Sequence, residues 1–404
     1  MSFTIYLLQT VAFLDLLAVS LIIPLVPNHM RKLGGNEIYV GLLGSIYAGC
    51  QLVSGPLIGS LSDLKGRKPV MALTLVVCSL SYVWLGMTNS ILVILAMRGV
   101  LGVFKQTQVL TKALVPDYEM SEIKQGAIYG KMAAISGFGM TLGPIIGGHI
   151  AEVHSELGFI AVIVGLVFAL NSCLVYFLPS IKKPARKQVK EERKTNLLIA
   201  LIMSVRESFV ELYHIEWSKY WDIFMFKALV GFAMGVYYSN YSLYLKTQYE
   251  LSPKYVGYVI SFQGVIGAFS SFFIGFINSF YIHDKDYSLR NFHVFLLLSV
   301  ALLGLILSFN VFIYSFWLIP LAFGNAIGRL VTLEMILKKC PGDQKGALIG
   351  ASNSVRSLAG VVAPMVTGII AQYIGVTYVI YASLCSTSFG VLLSYRHRRK
   401  VKSD

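Results

Sequence analysis

Charge is scarce in this chain. Only 13% of its 404 residues are Asp, Glu, Lys or Arg, against roughly 25% in an ordinary soluble domain. Hydrophobic residues make up 56%, and the mean hydropathy is +0.68. A soluble globule of that composition would expose apolar patches too large to stay dispersed, so lipid is the expected solvent. Acid is scarcer still, with 20 acidic residues against 34 basic ones and a net charge of +14. In a soluble protein that excess would point to nucleic acid. Here the bases stand between apolar runs and read as orientation signals, so no nucleic-acid partner is expected. Cysteine is sparse too. Cys50, Cys78, Cys173, Cys340 and Cys385 show no disulfide or metal-ligand spacing and read as small packing residues. No phosphate-binding loop, nucleophile with a base at useful spacing, or metal cluster is visible. Neither an enzyme, nor an ATP-driven pump, nor a resident cofactor or metal is expected.

What the chain has instead is long apolar runs. A spanning helix needs about 20 of them in a row. Such runs lie near 4–28, 38–62, 70–88, 91–114, 126–152 and 157–178, then near 221–246, 254–280, 292–309, 312–337, 346–373 and 376–395. The first has no basic stretch before it and continues to about Pro27, so it reads as a span and not as a cleaved leader. These runs predict an all-α membrane protein of twelve transmembrane helices. Residues 1–180 form an N-terminal six-helix bundle and 220–395 a C-terminal one. Between them, 181–219 is a basic linker with a short interfacial helix near 197–205, too short to span. Residues 396–404 form a basic tail.

Lys and Arg mark the cytoplasmic side. Lys65, Arg67 and Lys68 follow the second span. A basic run from Lys182 to Lys194 follows the sixth, Lys338, Lys339 and Lys345 bracket the turn after the tenth, and Arg396 to Lys400 lie in the tail. The connections after spans 3, 5, 9 and 11 carry almost no base. Both termini and the linker are therefore expected in the cytoplasm.

The two halves repeat each other. Gly126-Ala127-x-x-Gly130 matches Gly346-Ala347-x-x-Gly350, Pro144 matches Pro364, and Gly148-x-Ile150-Ala151 matches Gly368-x-Ile370-Ala371, each at an offset of 220 residues (364 minus 144). Tyr39-Val40-Gly41 matches Tyr255-Val256-Gly257, and Gly59 matches Gly275, at an offset of 216 (257 minus 41). Two bundles related by pseudo-twofold symmetry, with a solute site between them at mid-depth, are one way to build a transporter that works by alternating access.

After the second span the chain reads Gly59-Ser60-Leu61-Ser62-Asp63-Leu64-Lys65-Gly66-Arg67-Lys68. This resembles the signature loop of the major facilitator superfamily, G-x-L-x-D-x-x-G-R-K. The fifth span carries Gly139-x-x-x-Gly143-Pro144-x-x-Gly147-Gly148, and the first carries Asp15 and Pro24-Leu25-Val26-Pro27. Both are similar to the drug:proton antiporter branch, the tetracycline-efflux type in particular. Over all twelve spans the chain resembles the group of animal orphan transporters called major facilitator superfamily domain-containing protein nine. The resemblance implies the major facilitator fold and a transport function. It implies that Gly59, Asp63, Gly66, Arg67 and Lys68 act as a conformational latch against the start of the eleventh span, and that the fifth-span glycines and Pro144 serve bending and close packing. The repeat-related stretch after Gly275 has Asn278 and Ser279 where the acid would be, so the second latch reads as degenerate or lost. Tetracycline exporters also use acids in spans 3 and 9; Trp84 lies in the third here, and the ninth has no acid.

Ionisable groups at membrane depth face a cavity or a partner. The candidate cleft residues are Asp15, Gln51, Arg98, Lys105, Lys227, Gln263, Arg329, Glu334, Asn353 and Arg356. Asp15 could bind a coupling proton or a cation, or pair with a buried base. Arg98, Lys105 and Lys112 recur every seven residues, on one stripe of a continuous helix. They read as a cationic wall, or else Arg98 pairs with Asp15 or with backbone carbonyls while Lys105 snorkels. Arg329 is placed in the tenth span about where Arg98 stands in the fourth, and Glu334 is expected to pair across helices. The expected function is secondary active transport of a small organic solute, proton-coupled and monomeric, in the plasma or endolysosomal membrane. The alternatives are an uncoupled carrier of organic anions and a non-transporting scaffold.

Overall fold

The structure is a computed structural model that describes residues 3–154, 157–179, 217–284, 286–339 and 345–403. The described part of the chain is helical apart from short connections. In the first half the helices are α1 (Phe3–Ile22), α2 (Val26–Lys32), α3 (Glu37–Lys65), α4 (Arg67–Met87), α5 (Ile91–Phe104), α6 (Thr107–Tyr118), α7 (Glu122–Val153) and α8 (Leu157–Tyr176). In the second they are α9 (Trp217–Tyr249), α10 (Pro253–Ser279), α11 (Ser288–Ile306), α12 (Val311–Lys339), α13 (Lys345–Tyr373) and, after a 3-10 turn at Val376–Tyr378, α14 (Val379–Ser403). The linker helix expected near 197–205 lies outside the described residues.

These helices make twelve crossings, because α1 with α2, and α5 with α6, each form one broken span. Among the described residues, ten spans are long and apolar enough to cross a membrane by composition alone. In α9 the run Tyr237-Tyr238-Ser239-Asn240-Tyr241-Ser242 lowers the apolarity of the span. Twelve crossings put Phe3 and Ser403 on one face, called the near face below; the opposite one is the far face.

Local chemistry sets the ends. Asn36 caps α3 by accepting from the Tyr39 amide at 3.0 Å. Gly66, at φ +97°, makes the one-residue turn into α4, a conformation an L side chain rarely adopts. Pro27 stands in the first turn of α2, where its missing N–H costs nothing. The break between α5 and α6 has no proline. It falls at Lys105 and Gln106, well inside a spanning segment.

Hydrophobic packing divides into one large cluster per half. One runs from Ile5 to Leu178, the other from Tyr220 to Ile380. Where the halves meet, the contacts are small residues. A Cβ on Gly41 of α3 would strike the Pro364 carbonyl of α13, and a Cβ on Gly257 of α10 would strike the Pro144 carbonyl of α7. Ser45 donates to the Val361 carbonyl at 2.7 Å, and Ser261 donates to the Thr141 carbonyl at 2.6 Å. The second contact of each pair follows from the first through the two sequence offsets, 216 and 220. The pseudo-twofold is thus present in individual bonds. All four contacts lie toward the far face. Toward the near face the same helices part: Gly55 and Gly59 of α3, Gly130 and Gly137 of α7, and Gly350 of α13 have open space where a Cβ would sit. The cleft opens on the near face.

Candidate functional site

In the first half a buried ion pair lies inside the bundle, with Lys105 Nζ 5.8 Å from the ring centre of Phe168 on α8. Asp15 of α1 is fully buried. Its Oδ2 accepts from Lys105 Nζ at 2.7 Å and from Gln108 Nε2 at 3.0 Å. Asp15 Oδ1 is buried and bonds to no protein group. Gln108 also donates to the Ala12 carbonyl at 3.0 Å, which ties the start of α6 to α1. The interrupted backbone is satisfied by side chains, as lipid demands. Gln51 Nε2 donates to the Lys105 carbonyl at 3.2 Å, and Gln106 Nε2 donates to Ser54 Oγ at 3.0 Å.

Lys105 does not snorkel, and of the two partners expected for Arg98 it takes a backbone carbonyl and not Asp15. The break lets the Lys105 side chain turn inward, and it replaces the continuous stripe of Arg98, Lys105 and Lys112. Arg98 lies closer to the far face, where Nε donates to the Leu43 carbonyl at 3.2 Å and the guanidinium stacks on Tyr47 with Cζ 4.7 Å from the ring centre.

The second half brings cations together. Lys227 Nζ donates to Thr332 Oγ1 at 3.4 Å. The Arg329 and Arg356 guanidinium groups both act electrostatically on the Lys227 ammonium. Arg356 packs beside Gly231, one turn along α9 from Lys227. Asn325, one turn from Arg329, donates to Tyr238 Oη at 3.3 Å. Asn353 is exposed one turn before Arg356. Gln263 is buried and accepts from Tyr237 Oη at 3.4 Å. The proposed match of Arg329 with Arg98 does not hold in depth. Arg98 stands seven residues after Ile91, the far-face start of α5, and Arg329 stands eighteen after Val311, the far-face start of α12. Glu334 does pair across helices, with Arg290 of α11 at 3.4 Å.

On the near face, Arg67 bridges three elements. It bonds Asp63 of α3 at 3.1 Å, Asp117 of α6 at 3.0 Å, and the Ala113 carbonyl. Lys68 donates to the Leu178 carbonyl at 2.5 Å. Asp117 escaped sequence reading because it lies 50 residues from Arg67 with no local motif. In the second half Ser279 cannot play the part of Asp63, but the ion pair is rebuilt elsewhere. Arg290, at the start of the third span of its half, meets Glu334, near the end of the fourth, as Arg67 meets Asp117. Tyr281 and Tyr287 cover its guanidinium at 5.1 and 5.0 Å. The expectation of a lost second latch is corrected to this extent.

The fifth-span glycines are packing positions. Gly139, Gly143 and Gly147 of α7 lie against Phe13, Ser20 and Leu21 of α1, and Gly148 lies against Pro253 of α10. The far face is less bare of charge than the loops suggested. Arg31 and Lys32 end α2, and Arg31 bridges Glu37 at 2.5 Å.

Comparison with known proteins agrees with this architecture. The family model described as Major Facilitator Superfamily matches residues 9–360. The chain belongs to that superfamily and is a membrane transporter. It is similar to the quinolone resistance protein NorA of Staphylococcus aureus, at 25% identity over 410 residues, covering 99% of this chain and 98% of that protein. Among solved structures it is similar to the human organic anion transporter MFSD10 (TETRAN), with a TM-score of 0.65, 20% identity and coverage of 97% and 98%. It is also similar to a bacterial homolog of the human lysosomal transporter Spinster in an inward-facing, occupied conformation, with a TM-score of 0.80, 13% identity and coverage of 98% and 97%.

Proposed function

We propose that this protein is a secondary active transporter of a small organic solute, and that the Asp15–Lys105 pair couples its movement to protons. The observation that carries the reading is one fully buried carboxylate bonded at 2.7 Å to one buried ammonium, at an interrupted span inside the first bundle. With Asp15 ionised, the pair is neutral and closed. A proton on Asp15 removes the counter-charge of Lys105. A buried cation without its partner is costly, so protonation favours a conformation that gives Lys105 water or a solute anion. Halves 1–180 and 220–395 rock about the far-face seal, with 181–219 as the tether and 396–404 as a tail. The near-face bases support cytoplasmic termini, hence an inward-open state. A monomer in the plasma or endolysosomal membrane completes the reading. The Gly-Pro pattern on α7 and the length of the relation to NorA support placement in the drug:proton antiporter branch; the likeness to the protein-nine group stays part of the proposal.

The test is flux. Proteoliposomes receive a mixed panel of organic anions, cations and zwitterions, read by mass spectrometry under an imposed pH gradient. At least one solute is expected to move faster with the gradient, and Asp15→Asn should abolish that dependence. A transported solute indifferent to the gradient, and equally fast in Asp15→Asn, would leave an uncoupled carrier in its place.

A further inference from the structure

We infer that the second half of the cleft is a binding site for a small organic dianion bearing carboxylate or phosphate groups, held by Lys227, Arg329 and Arg356. The inference rests on the transport reading in one respect, that the cleft is the path of the solute.

Proximity is the first argument. Lys227 donates to Thr332, one turn from Arg329, and Arg356 packs beside Gly231, one turn along α9 from Lys227. Three helices deliver one cation each to the same place. Direction is the second argument. Leu358, Val362, Met365 and Ile369 form the exposed apolar stripe of α13. Arg356 is two residues from Leu358, about 200° around the helix, and so points away from lipid. Arg329 belongs to the α12 stripe whose Thr332 meets Lys227 and whose Asn325 meets Tyr238.

Charge is the third argument. None of the three has a carboxylate partner among the described residues, and the carboxylate of α12, Glu334, is committed to Arg290. The contrast with the first half is direct: there the one buried ammonium has its own acid. Uncompensated cations at membrane depth mark ion or substrate paths. Guanidinium groups present planar forks that match carboxylate and phosphate oxygens two at a time. A monoanion would leave two charges unmatched, whereas a dianion engages both forks with Lys227 as the third contact. Tyr238, half-exposed beside Arg329, and the exposed Asn353 offer neutral hydrogen bonds and a ring face to the organic part.

The experiment uses the purified full chain in detergent, with succinate and glycerol 3-phosphate as dianion probes. Butyrate, tetraethylammonium and phosphatidylglycerol are the comparisons, at matched ionic strength. Arginine modification by phenylglyoxal is mapped by mass spectrometry, and affinity is read by thermal shift. At least one dianion should protect Arg329 and Arg356 and raise Tm, while butyrate and tetraethylammonium do neither. Arg356→Gln and Arg329→Gln should each weaken dianion binding about tenfold or more, with the lysine replacements intermediate. Binding and footprint are read at one fixed pH with no gradient imposed, so failure of proton coupling and failure of this site are separable. Equal protection by butyrate, or none by either dianion, would overturn the site; protection by phosphatidylglycerol alone would overturn the solute in favour of a lipid headgroup. The footprint is read on the native chain, so it decides even where a glutamine variant does not fold.

Discussion

At the scale of single residues, Asp15 and Lys105 illustrate how unforgiving a buried pair is. Removing one partner strands the other in a low-dielectric site, a loss of about 3–5 kcal/mol, whereas replacing both by apolar groups is often neutral. Lys105→Met alone should therefore lower Tm markedly, and Asp15→Leu with Lys105→Met should recover most of the loss while transport stays uncoupled. A single Lys105→Met chain as heat-resistant as the parent would show that the pair carries no structural weight. Both residues are visible in the sequence as ionisable groups inside apolar runs, but their bond is not. They stand 90 residues apart, and Arg98 offered an equally plausible partner by count. What decides between the two is the interruption at Lys105–Gln106, which no proline or glycine announces and which only the surrounding Gln51, Gln106 and Ser54 make affordable.

At the scale of elements, the far-face seal is built from the absence of side chains. The backbones of α3 and α13, and of α7 and α10, touch through Gly41 and Gly257, each on a proline carbonyl, with one serine bond beside each. Interhelical bonds of this kind contribute only about 0.6 kcal/mol on average in membranes. The seal is thus tight in shape and weak in energy, as a joint that must part requires. Gly41→Ala or Gly257→Ala should prevent its closure and shift the protein toward the other end of its cycle. Spin labels at Gly59→Cys and Gly350→Cys would report a shorter near-face distance in either variant; an unchanged distance distribution would show that the glycines do not set the conformation. Here sequence reading went far. The repeat set Gly41 against Gly257 and Pro144 against Pro364 in register, and the structure adds that each glycine meets a proline of the other half. The two serines left no trace in the sequence, because serine is common in spans for many reasons.

At the scale of the whole molecule, two hydrophobic clusters with no large apolar residue shared between them imply halves that fold separately. Residues 1–180 and 217–404, co-expressed as separate chains, should insert and co-purify with dianion binding intact. Accumulation of neither fragment would argue that each half needs the covalent connection to reach its fold. The twelve spans were legible because lipid enforces length and apolarity. The charged contacts between spans were not, because a single Arg or Asp can meet several neighbours at the same depth. Asp117 and Arg290 show this: both hold near-face elements together, and neither stands in a motif.

The short helix α6 joins two of these features. Its first turn holds Gln108, bonded to Asp15; its last holds Asp117, bonded to Arg67. Nine residues of helix, about 13.5 Å, separate them, and the unwound turn at Lys105–Gln106 frees this segment from the rest of its span. α6 is in effect a pushrod. A displacement at Asp15 arrives at the near-face Arg67–Asp117 bond as motion of the same helix.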